Sequence, residues 1–501
     1  MKLRVYLLLI LLVLLGSQLG AQCNGVLTQN GNKLILHVWG THYERGYAQG
    51  NLLADRFMSL FTNYFFMAVA SNSASRYNML TNYYATHFET DPRFLSEAEG
   101  FAAGLVASGQ NLWHGPLGRD LGLTDILLVN AVVDMIYAQG ITPIELGCSE
   151  LTSWGVATEN DPALQGDPVV TRLLDWTGNT TLKNNALLIV QHPSETDEHK
   201  WISFGYPGLM GALSAINDQG QAAFLNIGNI HTSTETFNLD SVLYSVRKGI
   251  ERYDYDSNGF YDADDTWAAV NADQHISGTL IHNISFTPQG TIAQVIENNN
   301  SGAARRFYGD AYSNVAGQNL ASTNHFRVLY TPVACTRYDR IQDSLLVSAE
   351  MSATRQWTLM GGAGGVSQNM MAIQYIPSTG AILWSVASQT SPAYTQTPLA
   401  LDTDELFIQP VSVDDETLPT PAFRLWSYPN PLGRQDRLKL SSGNDLSRLE
   451  IFNLKGQRVV DQKLSSRNAE LSIEALAQPG IYLLKATDTD GRTVSRKLIR
   501  Y

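Results

Sequence analysis

Apolar positions repeat with two different periods along this chain, and the period changes near residue 148. After this point, short apolar runs predict strands at 186–190, 201–204, 222–225 and 280–284, with helices near 239–253 and 337–350. Strands and helices segregated in this way favour a layered α+β domain over residues 148–412. Before it, residues 22–147 are helix-rich, with one buried face predicted from Leu52, Leu53, Phe57, Leu60, Phe61, Tyr64 and Phe65.

The first 21 residues differ from both patterns. Two basic residues precede an unbroken apolar run from Val5 to Leu15, and Leu19-Gly20-Ala21 offers a small-residue cleavage site. The run is too short to span a bilayer. We expect residues 1–21 to be a secretory signal peptide, and we expect no membrane span in the mature chain.

Composition narrows the class of protein further. The net charge of −13 argues against nucleic-acid binding and against adhesion to anionic membranes. An exported chain with three cysteines has at least one unpaired thiol. Cys23 and Cys335 are able to pair, which the sequence leaves open, and Cys148 is then the free thiol.

The sequence Gly147-Cys148-Ser149 offers the most specific chemistry. If the chain cuts itself before Cys148, that residue carries both a thiol nucleophile and a free α-amine, whose pKa of about 7.7–8.0 suits a general base. Arg172 and Asp175 follow as a cation and a carboxylate that are able to orient such a site. The pattern therefore predicts an amide hydrolase or an acyltransferase.

These residues resemble the N-terminal-nucleophile hydrolases of the acyl-coenzyme A:6-aminopenicillanate acyltransferase and choloylglycine hydrolase group. The similarity covers roughly residues 33–410 and implies a four-layer αββα sandwich. Its segments occur in the order expected for that group: Gly40-Thr41-x-x-Glu44-x-Gly46-x-x-x-Gly50, Cys148 to Thr158, Arg172-x-x-Asp175-Trp176, Ile216 to Asn226, Thr323-Asn324-His325-Phe326 and Thr336-Arg337-Tyr338-Asp339-Arg340.

The resemblance also implies roles for single residues. Cys148 is the expected nucleophile, Arg172 is expected to lower the thiol pKa, and Asp175 is expected to hold the α-amine. Amide donors for a developing oxyanion are expected from Asn226 and Asn324, with Asn217 competing for the first place. Arg337 matches the distal arginine better than Arg340.

A twelve-residue stretch inside the catalytic domain, 254–265, fits a calcium loop. Oxygen side chains fall at positions 1, 3, 5, 9 and 12, and a glycine at position 6 permits the sharp turn. The alternative is a solvated acidic turn that caps a helix. The expected ligands of a structural Ca²⁺ are Asp254, Asp256, Asn258, the backbone carbonyl of Phe260, Asp262 and Asp265.

The C-terminal part changes character again. An acidic, proline-rich stretch over 413–424 predicts a linker, and residues 425–501 carry 13 Lys and Arg against 8 Asp and Glu. Hairpin turns are predicted at Lys455-Gly456 and Asp490-Gly491. This segment resembles the C-terminal sorting domain of type IX secretion, which implies a small all-β sandwich, the secretion machinery as a partner, and passage through periplasm and outer membrane to the cell surface or medium.

We therefore expect a secreted cysteine hydrolase that cleaves a small-molecule, non-peptide linear amide after self-cleavage at Gly147–Cys148, without a catalytic cofactor. Three alternatives stay open. They are an acyltransferase of the same family, a non-catalytic surface protein stabilised by calcium, and a Cys-His peptidase-like enzyme that uses His325. The substrate and the oligomeric state are not predicted.

Overall fold

The computed structural model describes residues 23–138, 147–229 and 236–410, and residues 425–500 apart from 429–431, 433–436, 443, 444, 454, 473–475, 477, 490 and 492. The chain divides into two compact units, Met1–Ser412 and Val413–Tyr501. The expected signal peptide over 1–21 and the expected linker over 413–424 lie outside the described residues.

The first unit alternates helices and strands. Its helices are α1 His42–Leu52, α2 Ala54–Leu60, α3 Phe66–Ala70, α4 Ala74–His87, α5 Pro92–Ala107, α6 Leu123–Asn130, α7 Val132–Ala138, α8 Thr180–Lys183, α9 Val242–Glu251, α10 Ala263–Ala272, α11 Thr336–Val347, α12 Ala353–Leu359 and α13 Thr403–Leu406. Its strands are β1 Gly25–Asn30, β2 Lys33–Gly40, β3 Trp113–His114, β4 Arg119–Asp120, β5 Ser149–Ser153, β6 Val169–Asp175, β7 Ala186–Pro193, β8 Trp201–Gly205, β9 Ser214–Asn217, β10 Gln221–Ile227, β11 Thr279–Thr287, β12 Gly290–Asn299, β13 Gly302–Phe307, β14 Asn319–Ser322, β15 Asn369–Ile376, β16 Ala381–Val386 and β17 Leu399–Asp402.

Two large sheets form the centre of this unit. One has the order β1-β2-β7-β8-β9-β10-β11-β12-β13, and the other has the order β14-β5-β6-β15-β16-β17. The predicted strands are confirmed as β7, β8, β10 and β11, and the predicted later helices as α9 and α11. Strands β1 and β2 were not predicted; β2 pairs in parallel with β7, so the N-terminal segment extends the larger sheet.

The sheets pack face to face, and helices cover both outer faces. Along β10, Ala222 and Phe224 point into the core between the sheets, while Ala223 and Leu225 point to the opposite face. This follows from the two-residue period of a strand. Helices of the N-terminal segment with α9 and α10 pack on the outer face of the larger sheet, and α11 packs on the smaller one. The α+β class is confirmed, with four layers in the order α, β, β, α.

The glycine-containing motif near residue 46 forms a close helix contact. Helix α1 begins with a capping box between Thr41 and Glu44. A Cβ at Gly46 would lie 1.9 Å from a backbone oxygen of α5, and one at Gly50 would lie 2.1 Å from the carbonyl oxygen of Phe101. The two helices therefore pack backbone against backbone, which larger residues would prevent.

The second unit is a small all-β sandwich. Sheets β18-β19-β22 and β21-β20-β23-β24 share one apolar core that includes Leu440, Leu471, Ile451 and Leu484. Strands β20 and β21, and strands β23 and β24, pair antiparallel on either side of the two predicted turns; Asp490, in the second turn, lies outside the described residues. The strands are β18 Leu425–Tyr428, β19 Arg437–Ser442, β20 Leu446–Asn453, β21 Arg458–Lys463, β22 Asn468–Ser472, β23 Gly480–Asp488 and β24 Thr493–Arg500.

Candidate active site

Cys148 immediately precedes β5 and is almost completely buried. A Cβ at Gly147 would lie 3.2 Å from Cζ of Arg337 and 3.3 Å from Oδ2 of Asp175. The junction is thus placed between a guanidinium group and a carboxyl group.

Arg172 and Asp175 both belong to β6, which pairs antiparallel with β5. Nη2 of Arg172 lies 3.9 Å from Sγ of Cys148, and Sγ lies 3.9 Å from the carbonyl oxygen of Asp175. Oδ1 of Asp175 accepts a hydrogen bond from Nδ2 of Asn369 at 2.9 Å, whereas Oδ2 makes none within the described residues. The pairing of two neighbouring strands therefore brings thiol, guanidinium and carboxyl together.

The two predicted asparagines lie at the same site with different bonding. Nδ2 of Asn226 donates to the Glu150 carboxylate and to the carbonyl oxygen of Thr323. Nδ2 of Asn324 donates to the carbonyl oxygen of Ile227 at 2.7 Å. Because an amide NH₂ has two hydrogens, Asn226 uses both, while Asn324 keeps one available among these contacts.

Arg337, at the start of α11, connects the cysteine to the second asparagine. Its Nη1 donates to the carbonyl oxygen of Cys148 and to Oγ of Ser149, and its Nη2 donates to Oδ1 of Asn324 at 2.8 Å. Asn217 is used elsewhere: its Oδ1 accepts from the backbone N–H groups of a tight turn at 217–221. All six predicted site residues thus lie in one contact network.

Sequence reasoning missed Glu150, which is fully buried and forms an ion pair with Arg172 at 2.6 Å. A glutamate in an alternating strand normally faces solvent, so the residue alone gave little signal. The available signal was its register, because Glu150 is paired directly with Arg172 across β5 and β6.

The thiol pKa departs from the expected direction. Burial raises the pKa of Cys148 to about 11; Arg172 opposes this, while Glu150 and Asp175 add to it. Arg172 therefore acts in the expected direction, but the net pKa is raised because burial and two carboxyl groups outweigh it. Burial also raises the pKa of Asp175 well above its usual range.

A cavity of about 70 Å³ opens beside Cys148, and its walls are almost entirely apolar. One polar atom in this wall, Oη of Tyr206, makes no hydrogen bond within the described residues. Residues on both sides of Gly147–Cys148 line it. Those before the junction are Leu60, Tyr64, Phe65, Val129, Val132 and Val133, and those after it are Leu174, Trp176, Leu182, Tyr206, Pro207, Leu209, Leu213, Leu225, Ile227 and Leu243.

His325, a candidate base from its position beside Asn324, interacts with Cys335. Cys335 precedes α11, and its Sγ lies 3.5 Å from Oγ1 of Thr323. Burial tends to raise the pKa of this thiol, but His325, Thr323 and the charge of Arg337 lower it to about 6. All three cysteines are free, so Cys23 and Cys335 are not bridged.

The candidate calcium loop lies between α9 and α10. Oxygen atoms of Asp254, Asp256 and Asp265 lie within 4.8 Å of one another. The side chain of Asn258 donates to Asp256, and that of Asp262 caps α10. The structure thus gathers three of the six expected ligands, and one more caps a helix, as the alternative of an acidic turn expects.

The C-terminal segment matches a known protein family. Residues 427–500 match the family model described as a secretion system C-terminal sorting domain. This confirms the sorting domain, and the chain is therefore exported to the cell surface or medium through the secretion machinery. In the described part of the chain, no helix combines the length and the apolar character needed to cross a bilayer.

The chain also has more distant similarities. Protein dcd1B of Dictyostelium discoideum is 27% identical over 261 residues, which are 49% of this chain and 48% of the relative. The chain thus spans about half the length of this curated relative.

Two solved structures are also similar. An N-acylethanolamine-hydrolyzing acid amidase ortholog of Caenorhabditis elegans shares 13% identity, with a TM-score of 0.35 over 51% of this chain and 100% of its own. A mutant form of conjugated bile acid hydrolase from Clostridium perfringens shares 11% identity, with a TM-score of 0.29 over 51% of this chain and 93% of its own.

Proposed function

We propose that this chain is a secreted cysteine hydrolase that cuts itself at Gly147–Cys148 and then cleaves linear, non-peptide amides. One observation carries the proposal. The junction lies between the carboxyl group of Asp175 and the guanidinium group of Arg337, with the Cys148 thiol beside an apolar cavity. The site thus combines a nucleophile, two charged groups beside it and an apolar cavity next to the thiol.

Self-cleavage begins when Sγ of Cys148 attacks the carbonyl carbon of Gly147. The C–N bond breaks, the thiol proton passes to the leaving nitrogen, and water hydrolyses the resulting thioester. Cys148 then carries a free α-amine, which is able to take the thiol proton in later turnovers.

In the amide reaction the same thiol attacks the substrate carbonyl carbon. The remaining N–H of Asn324 suits the oxyanion of the tetrahedral intermediate, because Asn226 has already used both of its amide hydrogens. The α-ammonium returns its proton to the leaving amine as the C–N bond breaks. Water then releases the acid from the thioester.

The cavity supports an apolar acyl group in the substrate. An aliphatic or aromatic acyl chain placed there replaces water against apolar walls, which is favourable by about 25 cal/mol per Å² of buried apolar surface. The hydroxyl of Tyr206 offers one hydrogen bond for a polar substituent. Hydrophobic N-acyl amides are therefore the first substrates to screen.

Intact-mass analysis of the chain and of Cys148→Ala tests the proposal. We expect the wild-type chain to appear as two fragments that separate at Gly147–Cys148, and Cys148→Ala to remain whole and inactive on N-acyl amides. Cys335→Ala is the matched control, because it also removes a buried thiol, and it should still be cleaved. A wild-type chain that stays whole and yet hydrolyses amides would contradict self-cleavage.

We also propose that the 254–265 loop holds a calcium ion in a structural role. Three carboxylates whose oxygens lie within 4.8 Å suit a hard divalent cation, which would remove their mutual repulsion. Calcium should raise the melting temperature of the chain relative to EDTA, and Asp256→Asn should reduce that difference. An equal melting temperature in calcium and EDTA would favour the alternative of a helix-capping turn.

A further inference from the structure

The Glu150 carboxylate lies at the centre of the site and accepts hydrogen bonds from three side chains. Nη1 of Arg172 donates to Oε1 at 2.6 Å, and Oγ of Ser322 donates to Oε2 at 2.6 Å. Nδ2 of Asn226 donates to the same Oε2. Arg172 also donates to Oδ1 of Asn226 at 3.0 Å, so the three groups form a closed triangle.

A second set of hydrogen bonds fixes this carboxylate from behind. Ser322 donates its hydrogen to Glu150, so its oxygen accepts from Nδ1–H of His282 at 2.9 Å. Nε2 of His282 is then an acceptor for Oγ1–H of Thr152 at 2.7 Å. Burial, with Arg306 and Arg172 nearby, lowers the pKa of His282 to about 3, which agrees with a neutral ring bearing one hydrogen. Each of these side chains has a partner on both sides, which makes the network rigid.

Glu150 also decides how Arg172 acts on the thiol. The guanidinium group is shared between the carboxylate, at 2.6 Å, and Sγ of Cys148, at 3.9 Å. The Glu150 carboxylate therefore offsets part of the effect of Arg172 on the thiol pKa, although Arg172 remains the larger of the two.

We propose that Glu150 is a positioning residue of this site: its carboxylate orients Arg172 and Asn226 and balances the guanidinium charge that would otherwise favour the thiolate of Cys148. The inference rests on the proposed function, since it concerns the same nucleophile. The charged groups around the thiol are then two guanidiniums, Arg172 and Arg337, and two carboxyls, Glu150 and Asp175.

Cleavage at Gly147–Cys148 changes the balance of charges around the thiol. It adds an α-ammonium group at Cys148, next to Asp175, as a third cation. With Arg172 partly offset by Glu150, this new cation adds to the guanidiniums in favouring ionisation of the thiol. Glu150 therefore adds to burial in keeping the thiol of the intact chain protonated and makes its reactivity more dependent on the new chain end.

The test compares Glu150→Gln with Glu297→Gln, in a background that carries Cys23→Ala and Cys335→Ala. Glu297 is the matched control because it is an equally buried carboxylate, near Arg306, whose hydrogen bonds go to the backbone N–H groups of 327–329. In this background Cys148 is the one remaining thiol of the chain, so the pH dependence of its alkylation by iodoacetamide reports its ionisation without interference from the 22 tyrosines. Intact mass records whether each sample is cleaved.

We expect Glu150→Gln to lower the ionisation midpoint of Cys148 by about one pH unit relative to Glu297→Gln in the same processing state, because an anion beside the thiol is lost. With an N-acyl amide that the background chain hydrolyses, the kcat of Glu150→Gln should be lower by about tenfold or more. Its KM should stay within about twofold, because the apolar cavity is unchanged. Glu150→Asp keeps the negative charge but has a shorter side chain. Its Cys148 ionisation midpoint should therefore match that of the chain with Glu150, whereas its kcat should stay low.

An unchanged midpoint in Glu150→Gln would overturn the electrostatic part of the proposal, and an unchanged kcat would overturn the positioning part. If Glu150→Gln fails to fold, the ionisation midpoint and kcat are measured on Glu150→Asp. We expect that variant to have an unchanged midpoint and a lowered kcat. If the background chain, which keeps both glutamates, is neither cleaved nor active, the proposed function fails, while the midpoint comparison still tests Glu150.

Discussion

Two buried cysteines of this chain have opposite electrostatic surroundings. Cys148 lies near two carboxyl groups and two guanidiniums, one of them paired with Glu150, and burial raises its pKa to about 11. Burial acts against the Cys335 thiolate too, but His325, Thr323 and the charge of Arg337 outweigh it and lower the pKa to about 6. In the intact chain, the thiol that ionises at neutral pH is therefore Cys335.

The first prediction concerns this ionised thiol. In Cys148→Ala, the ultraviolet absorbance of a thiolate should appear with a midpoint near pH 6 and vanish when Cys335→Ala is added. Because the folded pKa is below the unfolded value, Cys335 adds stability above pH 9, and this is lost as the pH falls through 6. An absence of thiolate below pH 8 would contradict this assignment.

At the scale of single residues, the sequence indicated which side chains come together at the site but not which hydrogen bonds they form. Cys148, Arg172 and Asp175 could be named because their spacing matches a known group. The contact of Glu150 with Arg172 depends on strand register, and the partner of His325 depends on the path of the chain before α11. The pKa of Cys148 depends on burial, which no local pattern contains.

Among the elements, the contact between α1 and α5 explains a motif whose role was open. The glycines at 46 and 50 were identified only as part of a resemblance, whereas the structure gives them a steric reason. Four strands of the larger sheet, β7, β8, β10 and β11, were predicted from short apolar runs between 186 and 284. The hairpin β1–β2 was missed, although Leu34, Leu36 and Val38 alternate as a half-buried strand requires.

The second prediction is that Gly50→Ala lowers the free energy of unfolding by about 1–3 kcal/mol, the usual cost of overpacking. The new methyl group would lie 2.1 Å from a backbone oxygen of α5, so the helices must move apart. Gly115→Ala is the control, because a Cβ there meets no atom within 4 Å. Denaturant unfolding measures both, and equal effects would show that the contact tolerates a methyl group.

Across the first unit, the segment before Cys148 is part of the same core as the segment after it. Helices of both segments share one apolar cluster, and Nδ2 of Asn130 donates to the carbonyl oxygen of Gly208. Asn130 also accepts from the backbone N–H groups of Met210 and Gly211. A boundary drawn in sequence at residue 147 is therefore not a boundary in space.

The third prediction is that the two fragments stay together after cleavage. They are the early fragment, which ends at Gly147, and the fragment that begins at Cys148. They should co-elute in native size-exclusion chromatography at the mass of the whole chain and separate in denaturant. Breaking one peptide bond removes none of the contacts between them. Elution of the early fragment alone would contradict this expectation and would also predict loss of amide hydrolysis, because that fragment lines part of the cavity.

The parallel pairing of β2 with β7 has a consequence for handling the protein. All eight residues of β7 are paired with β2 on this side, from Ala186 to Pro193. Without the early fragment, this strand would present a row of open N–H and C=O groups, a template for aggregation. The early fragment thus acts as a cover for a sheet edge, and a recombinant chain that starts at Cys148 should precipitate unless residues 23–138 are co-expressed with it.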